Sequence, residues 1–215
     1  MSREGTGEDS RRQILEVAAK LFFEKGYDNT TIQDIVKGLG GMTKGAVYHH
    51  FKSKQNIFEQ VMESYSSQRE NEGVEGDTGL AKIKSLLIRE FLERDKQAIG
   101  YSGRVLLQTP RMIGEQYKAT FEQGVPYIEA YIQEGIEDGS IETEYPHEIA
   151  ELLMVTFNLW MGIQLGTYSS EEAKRKLVFF QQIFDSMGIP ILDEQVMSVA
   201  NQLIDYLKNY QSKHL

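Results

Sequence analysis

The hydrophobic positions of this 215-residue chain repeat with the period of an α-helix from its first apolar cluster onward. The first helix is predicted from Ser10 to Lys25, where Gly26 stops it, and its apolar residues recur at spacings of three and four. These residues are Ile14, Leu15, Ala18, Leu21 and Phe22. The spacing places all five on one helix face, so this helix is expected to pack against a neighbour.

The next stretch, from Thr30 to Lys54, predicts two short helices joined by a glycine turn. Thr31 and Asp34 have the spacing of a capping box, in which a hydroxyl and a carboxylate three residues apart close a helix N-terminus. The apolar residues that follow keep the helical spacing; they are Ile32, Ile35, Val36 and Leu39. Gly40 and Gly41 then end the helix, because glycine reaches left-handed backbone angles without a steric cost.

Thr43 is placed to cap the second short helix, whose apolar pair Val47 and Phe51 points back at the first helix. The residues between these anchors are small, basic or able to form hydrogen bonds, and they face away from the core. They are Lys44, Gly45, Ala46, Tyr48 and His49. Two helices across a tight turn, with the second one exposed, predict a helix-turn-helix with an accessible recognition helix.

The segment from Gly41 to Lys54 resembles the DNA-binding segment of the TetR family of bacterial transcriptional regulators. The helix from Arg12 to Gly26 is also similar to the first helix of that family, so the resemblance covers roughly residues 10–62. It implies that the matching positions contact DNA: Thr43, Lys44, Ala46, Tyr48, His49, His50 and Lys54. It does not distinguish contacts with bases from contacts with phosphates.

Physical chemistry adds three positions to that set. An exposed helix fits the major groove, where the small Gly45 allows a close approach. Thr30 and Thr31 precede a helix start, where backbone N–H groups favour phosphate oxygens. The predicted DNA-binding residues are therefore Thr30, Thr31, Thr43, Lys44, Gly45, Ala46, Tyr48, His49, His50 and Lys54. The bland alternative is a solvent-exposed helical hairpin that carries a few charges.

Beyond this part, every segment has helical periodicity and no alternating run predicts a strand. The predicted fold is all-α, with about nine or ten helices. A three-helix helix-turn-helix domain at residues 1–55, linked through a helix to about residue 70, precedes a larger helical domain at residues 56–215. Among its predicted helices are Leu80–Gln97, a short one around Arg104–Gln108, Ile113–Asp138 with a bend at Gly124 and Pro126, His147–Thr167, Ser170–Gly188 and Asp193–Gln211.

The larger domain holds aromatic and amphipathic side chains that are suited to the wall of a ligand cavity. The resemblance implies that its middle helices bind a small effector. The predicted ligand-binding residues are Tyr101, Tyr117, Phe121, Tyr131, Phe157, Asn158, Trp160 and Met161. The alternative for each aromatic residue is that it belongs to the core.

The net charge of −9 is unevenly distributed along the chain. Residues 1–55 hold 9 Lys and Arg against 7 Asp and Glu, a net charge of +2, whereas residues 56–215 hold 14 against 25, a net charge of −11. This division favours an approach to DNA through the N-terminal part. The chain has no cysteine, and its polar N-terminus lacks the apolar stretch of a signal peptide. Both features fit a cytoplasmic protein.

Catalysis is not expected, because no phosphate loop, nucleophile-and-base arrangement or set of metal ligands has the required spacing. His49 and His50 are adjacent, so their side chains leave a helix about 100° apart and cannot chelate one metal ion. We therefore expect no catalytic residue, cofactor or metal, and we interpret the chain as a regulator and not an enzyme.

Apolar residues in two late helices exceed what one small core needs, which favours a homodimer. They are Leu177, Val178, Phe180, Ile183, Phe184 and Met187, beside the apolar stretch Ile149–Leu165. The resulting prediction is a dimeric, ligand-responsive repressor that binds a pseudo-palindromic DNA operator and is released by a small-molecule effector. The alternative is an effector-independent DNA-binding protein whose acidic domain docks a protein partner, and the alternative to the homodimer is a single protomer that buries all of these residues.

Overall fold

The computed structural model describes residues 3–67, 73–162 and 167–214, and all the regular structure within them is helical. The first four helices are α1 (Arg3–Lys25), α2 (Ile32–Gly38), α3 (Lys44–His50) and α4 (Lys54–Ser67). The following α-helices are α5 (Gly79–Leu92), α6 (Arg94–Ser102), α7 (Arg104–Leu107), α8 (Pro110–Ala119), α9 (Val125–Asp138), α10 (Pro146–Met154), α11 (Ser170–Ser186) and α12 (Glu194–His214). Two π-helical segments, π1 (Thr120–Gly124) and π2 (Val155–Gly162), continue α8 and α10.

The all-α prediction is confirmed, and so is the number of helices. Helix α8 runs through π1 into α9 without interruption, and only Gly103 separates α6 from α7. When each of these is taken as one rod, the described residues form about ten rods. The residues around position 70, where the predicted linking helix ends, lie outside the described residues.

The chain forms two compact units. The first takes the described residues up to Gly73, then Asp95–Gly103 and the chain end from Tyr210; the second takes Val74–Arg94 and Arg104–Asn209. In the first unit, Phe22 and Phe58 meet edge to face with their ring centroids 5.6 Å apart. The buried residues of α1 to α4 surround this pair: Ile14, Ala18, Ile35, Leu39, Val47, Phe51, Ile57 and Val61.

The second unit is organised around the crossing of α5 and α9, where two glycines bring the backbones together. A Cβ on Gly79 would collide with the backbone of Tyr131 and Gly135, so only glycine fits there. Asp138 Oδ2 accepts a hydrogen bond of 2.7 Å from Gly79 N, which satisfies one of the free N–H groups at the start of α5. The buried core around this crossing includes Ile83, Ile132, Ile149, Phe180 and Phe184.

Several predicted helices have different boundaries in the structure; α1, for example, begins at Arg3 and not at the predicted Ser10. The predicted helix Leu80–Gln97 is divided at Glu93, whose ψ of 59° leaves the helical region, and α6 begins at Arg94. The chain passes from the second unit to the first there, and no glycine or proline marks the break. The predicted bend at Gly124 and Pro126 takes the form of π1. The predicted end of the helix His147–Thr167 adjoins residues 163–166, which are outside the described part of the chain.

Candidate DNA-binding interface

A reciprocal pair of hydrogen bonds fixes the start of α2. Thr31 Oγ1 accepts from Asp34 N at 3.1 Å, and Asp34 Oδ2 accepts from Thr31 N at 2.9 Å. Hydrogen bonds from the Thr31 side chain and backbone lower the pKa of Asp34 to about 2. The carboxylate therefore stays charged over the physiological range, and the capping box predicted from the sequence is present.

The next turn presents α3 with one buried and one exposed face. Thr43 Oγ1 accepts a hydrogen bond of 3.2 Å from Ala46 N, which caps the helix. Val47 and Phe51 are buried beneath it. Of the predicted DNA-binding residues, the exposed ones are Thr31, Thr43, Lys44, Gly45, Tyr48 and His49, and the half-buried ones are Ala46, His50 and Lys54. Of the exposed residues, Lys44, Gly45, Tyr48 and His49 lie on α3, whose exposed face suits the major groove, while Thr31 and Thr43 cap α2 and α3.

Contacts between neighbours pre-position the long side chains of this surface. The Lys44 ammonium lies 5.8 Å from the centroid of the Tyr48 ring, one helical turn away. The His49 and His50 rings stand nearly perpendicular with centroids 5.3 Å apart. Among the described residues, no cluster of three or more His, Asp or Glu side chains is arranged to hold a metal ion. These four residues carry donors suited to base edges and phosphate oxygens.

Thr30 lies below this surface and is not available to DNA. Its side chain is 0% exposed, and its hydroxyl donates to the carbonyl of Gly26 at 2.8 Å. The predicted phosphate contact at Thr30 is therefore wrong, since the hydroxyl is used to hold the turn between α1 and α2. The sequence could not separate Thr30 from Thr31, because both precede the same helix.

The side chain of Lys54 is held by the turn between α1 and α2. Its Nζ donates to the Tyr27 carbonyl at 2.8 Å and lies 4.1 Å from the centroid of the Tyr27 ring. Burial lowers the pKa of Lys54. Its ammonium is already partnered, so a phosphate contact there would replace or share the bond to Tyr27.

Two residues that are remote in sequence form hydrogen bonds with the end of α1 and with the turn that follows it. The end of α1 leaves carbonyl groups without helical partners, and Tyr210 of α12 donates its hydroxyl to Phe23 O at 2.8 Å, with Phe22 O at 3.1 Å. Tyr27 N donates to Ser102 Oγ of α6 at 3.1 Å. No local pattern predicts these contacts, because the residues next to Tyr210 and Ser102 in sequence do not show that these side chains contact the end of α1 and the turn that follows it.

The predicted ligand-binding residues are divided between the two units. Tyr101 is buried in the first unit, where its hydroxyl is 2.7 Å from Gln211 Oε1. The other seven belong to the second unit: Tyr117 on α8, Phe121 on π1, Tyr131 on α9, and Phe157, Asn158, Trp160 and Met161 on π2. Six of these seven therefore lie on α8, π1 and π2, and ligand binding stays a prediction for all eight residues.

These seven differ in environment. The Tyr117 and Phe121 rings lie 4.6 Å apart although Tyr117 is 53% exposed, and Trp160 packs edge to face on Phe180 at 5.0 Å. Burial, with the hydrogen bond to Tyr127, raises the pKa of Tyr131 to about 12. Two open surface depressions lie along α11 and α12, and none of the seven lines either of them.

No helix that the structure describes is long and apolar enough to span a membrane.

The capped turn between α2 and α3 and the exposed face of α3 define a helix-turn-helix DNA-binding protein. Residues 14–61 match the family model described as bacterial regulatory proteins, tetR family. This match confirms, over the N-terminal segment, the resemblance to the tetR family that the sequence predicted.

Known proteins extend the similarity beyond this domain. The chain is 28% identical over 185 residues to the transcriptional repressor DhaR of Mycobacterium sp. (strain GP1), which covers 82% of this chain and 91% of that protein. Identity rises to 48% over 48 residues with the negative regulator IcaR of Staphylococcus aureus, over 22% of this chain and 25% of that one. A solved regulator of the TetR/AcrR family has a TM-score of 0.55 at 17% identity, covering 92% of this chain and all of that one, which shows the shared fold.

Proposed function

We propose that this protein is a dimeric repressor that binds a pseudo-palindromic DNA operator and releases it when a small-molecule effector binds. The observation that carries the proposal is the exposed face of α3, where Lys44, Tyr48 and His49 project from a helix anchored by Val47 and Phe51. Lys44 supplies a positive charge, and Tyr48 and the imidazole ring supply directional hydrogen bonds. Such a face recognises base edges and phosphates together.

We assign DNA binding to the first unit, and effector binding and dimerisation to the second. This follows the predicted division into residues 1–55 and 56–215 and its unequal charge. A bacterial regulator that binds chromosomal DNA acts in the cytoplasm, so we assign the protein to that compartment. The residues proposed to contact DNA have a regulatory role and not a catalytic one. Effector and operator must each weaken the binding of the other by the same factor, because the two equilibria are linked.

The exposed apolar face of α11 supports dimerisation. Leu177, Phe180 and Phe184, which the sequence assigned to the dimer, are buried within the protomer. Val178 and Phe179 are instead 46% and 48% exposed. We assign these two to the contact with a second copy. A twofold axis through this contact would have to place the two α3 helices about 34 Å apart, one turn of DNA.

The experiment that tests this proposal is selection of bound fragments from random duplex DNA, followed by titration of the selected sequence at fixed salt concentration. A pseudo-palindromic sequence, bound by two protomers with a strong preference over random duplex, is the expected result. The matched control is the Tyr48→Ala variant, which should fold and dimerise but enrich no sequence. Enrichment of a single half-site by a monomer would contradict the dimer.

A compound screen against the selected operator then tests effector control. We expect at least one small molecule to weaken operator binding and to raise the melting temperature of the free protein. A protein whose melting temperature and operator affinity ignore every compound, while a second protein binds its acidic unit, would establish the effector-independent alternative.

A further inference from the structure

Two π-helical segments occur in helices that contact each other in the second unit. Segment π1, which continues α8, contacts α10, and π2, which continues α10, contacts α8. A π-helical segment replaces i→i+4 hydrogen bonds with longer i→i+5 bonds, is rare, and occurs frequently at functional sites. Two such segments in contacting helices interrupt the regular α-helical hydrogen bonding that we would expect in a purely structural core.

Thr120, the first residue of π1, has a buried hydroxyl group without a partner. The residue is 1% exposed, and among the described residues its Oγ1 has no hydrogen-bond partner. An unsatisfied buried hydroxyl destabilises the folded protein, and a change to valine would remove that cost. The hydroxyl is therefore available to form a hydrogen bond with a ligand.

Apolar side chains of π1, α10 and π2 pack against the hydrophobic core of the unit, among them Phe121, Met154 and Phe157. Thr120 and Gly124 lie about one turn apart on π1, and a Cβ on Gly124 would collide with the methyl group of Met154. The Met154 sulfur is 4.0 Å from Asn158 Nδ2 on π2. Methionine is flexible, so Met154 can move aside to admit a guest without a change in the backbone.

We propose that Thr120 is the polar anchor of the effector site, where π1 packs against α10, and that its ligand is an uncharged, mainly apolar molecule with a carbonyl or hydroxyl oxygen. This inference rests on the proposed effector control and names the class of compound. A hydroxyl both donates and accepts, so it pairs with either oxygen. An ionised ligand would lose its hydration here without meeting an opposite charge on Thr120, Met154, Phe157 or Asn158, and such burial is costly.

The test uses the full-length protein and three series of probes. Phenyl alkyl ketones from acetophenone to octanophenone supply the oxygen and scan the length of the apolar part. Alkylbenzenes of the same carbon number lack the oxygen, and phenylalkanoates add a negative charge. Binding is measured by equilibrium dialysis for the parent protein, Thr120→Val, which keeps the shape and removes the hydroxyl, and Thr120→Ser, which keeps the hydroxyl.

We expect the parent and Thr120→Ser to bind one or more ketones about tenfold more tightly than the matched alkylbenzene, as one buried hydrogen bond provides. Thr120→Val should lose that preference and melt at a higher temperature when free. A preference that persists in Thr120→Val, or the absence of ketone binding to the parent, overturns the proposal. A lower melting temperature for Thr120→Val also overturns it, because the hydroxyl would then have a partner inside the protein.

Operator binding by the same proteins separates this inference from the proposed function. Thr120→Val should bind the selected operator as tightly as the parent does. If both bind the operator and the ketone preference is absent, the ligand assignment fails and the regulator remains. If neither protein selects any DNA sequence, the proposed function fails, whatever the dialysis shows.

Discussion

The residues that lead into α2 and α3 differ from segment π1 in whether their polar groups have hydrogen-bond partners. The hydroxyls of Thr30, Thr31 and Thr43 all have backbone or carboxylate partners a few residues away. At π1, by contrast, the hydroxyl of Thr120 is buried and unpartnered within the described residues. The first region is complete without a ligand, and the second is not.

This difference teaches how the two regions relate to their targets. Operator DNA has a fixed groove geometry, so a DNA-binding surface gains from side chains and caps that are held in place beforehand. An effector must instead change the protein on binding, which requires a region whose free state is not fully satisfied. Local hydrogen bonds accordingly determine the first region, and contacts between distant residues determine the second.

The largest effect is expected from Gly79→Ala, which tests that dependence on distant contacts. The added Cβ would meet the backbone of Tyr131 and Gly135, which has no flexible end to move aside. We expect the free energy of unfolding of the second unit to fall by about 2–3 kcal/mol, as overpacking costs in a tight core. Chemical denaturation, followed by the fluorescence of the single tryptophan Trp160, measures it.

Gly114→Ala is the matched control for that prediction. Gly114 lies within α8, and a Cβ there meets nothing within 4 Å. Alanine is better than glycine in a helix by about 0.5–1 kcal/mol, so this variant should be neutral or slightly more stable. Equal effects of the two substitutions would show that the α5–α9 crossing is not a close backbone contact.

The second prediction tests the exposed face of α3 by a change of charge. Lys44→Ala should lower operator affinity about tenfold and leave the melting temperature unchanged, because Lys44 is exposed and its ammonium lies beside the ring of Tyr48 on the same helix. Lys118→Ala removes the same charge from an exposed position on α8 and should leave affinity unchanged. If the two variants bind DNA alike, the Lys44 contribution is general electrostatic attraction and not a contact of α3.

The third prediction concerns a contact through which the first unit also depends on a distant residue. Tyr210→Phe removes the hydroxyl that donates to Phe23 O, a carbonyl left free by the end of α1. We expect the first unit to lose about 1 kcal/mol of stability, the usual value of one hydrogen bond. Denaturation followed by circular dichroism measures the loss. Tyr145→Phe, at an exposed ring on the second unit, is the control and should change nothing.

How much of this molecule the sequence predicted follows the same division. The capping box of Thr31 and Asp34, the cap at Thr43 and the left-handed turn at Gly40 are all present, since each depends on neighbours within four residues. The resemblance to the tetR family is confirmed over residues 14–61. The contacts with bases and phosphates stay predictions for Thr31 and the residues of α3.

The sequence did not predict what depends on packing between distant segments. The break at Glu93 carries no helix-breaking residue, and π1 and π2 are helical in pattern, with nothing to mark their longer hydrogen bonds. Thr30 was assigned to the DNA contact because it precedes the same helix as Thr31, although its side chain is buried. Burial depends on how the units pack, and a local sequence pattern does not show which residues of a turn are buried.

The smallest effect is expected where an ion pair joins α9 to α10 at the surface of the second unit. His147 Nδ1 lies 2.8 Å from Glu129 Oε2, and His147 Nε2 lies 3.4 Å from Glu151 Oε1. The hydrogen bond with Glu129, together with the charges of Glu129, Glu151 and Glu148, raises the pKa of His147. Because the side chain is exposed, solvent screening keeps its contribution small.

A folded-state pKa above the ordinary value of about 6.5 means that the protonated ring favours the folded protein. Its contribution is fully present below about pH 6.5 and is lost as the pH rises through the folded-state pKa. The urea midpoint of the parent should therefore fall slightly more between about pH 6 and pH 8 than that of His147→Gln. Glu129→Gln should abolish most of the same difference, since it removes the main partner. A steeper fall for His147→Gln would mean that the ring stabilises the fold in its neutral form, and the bridge between α9 and α10 would then be a hydrogen bond without charge.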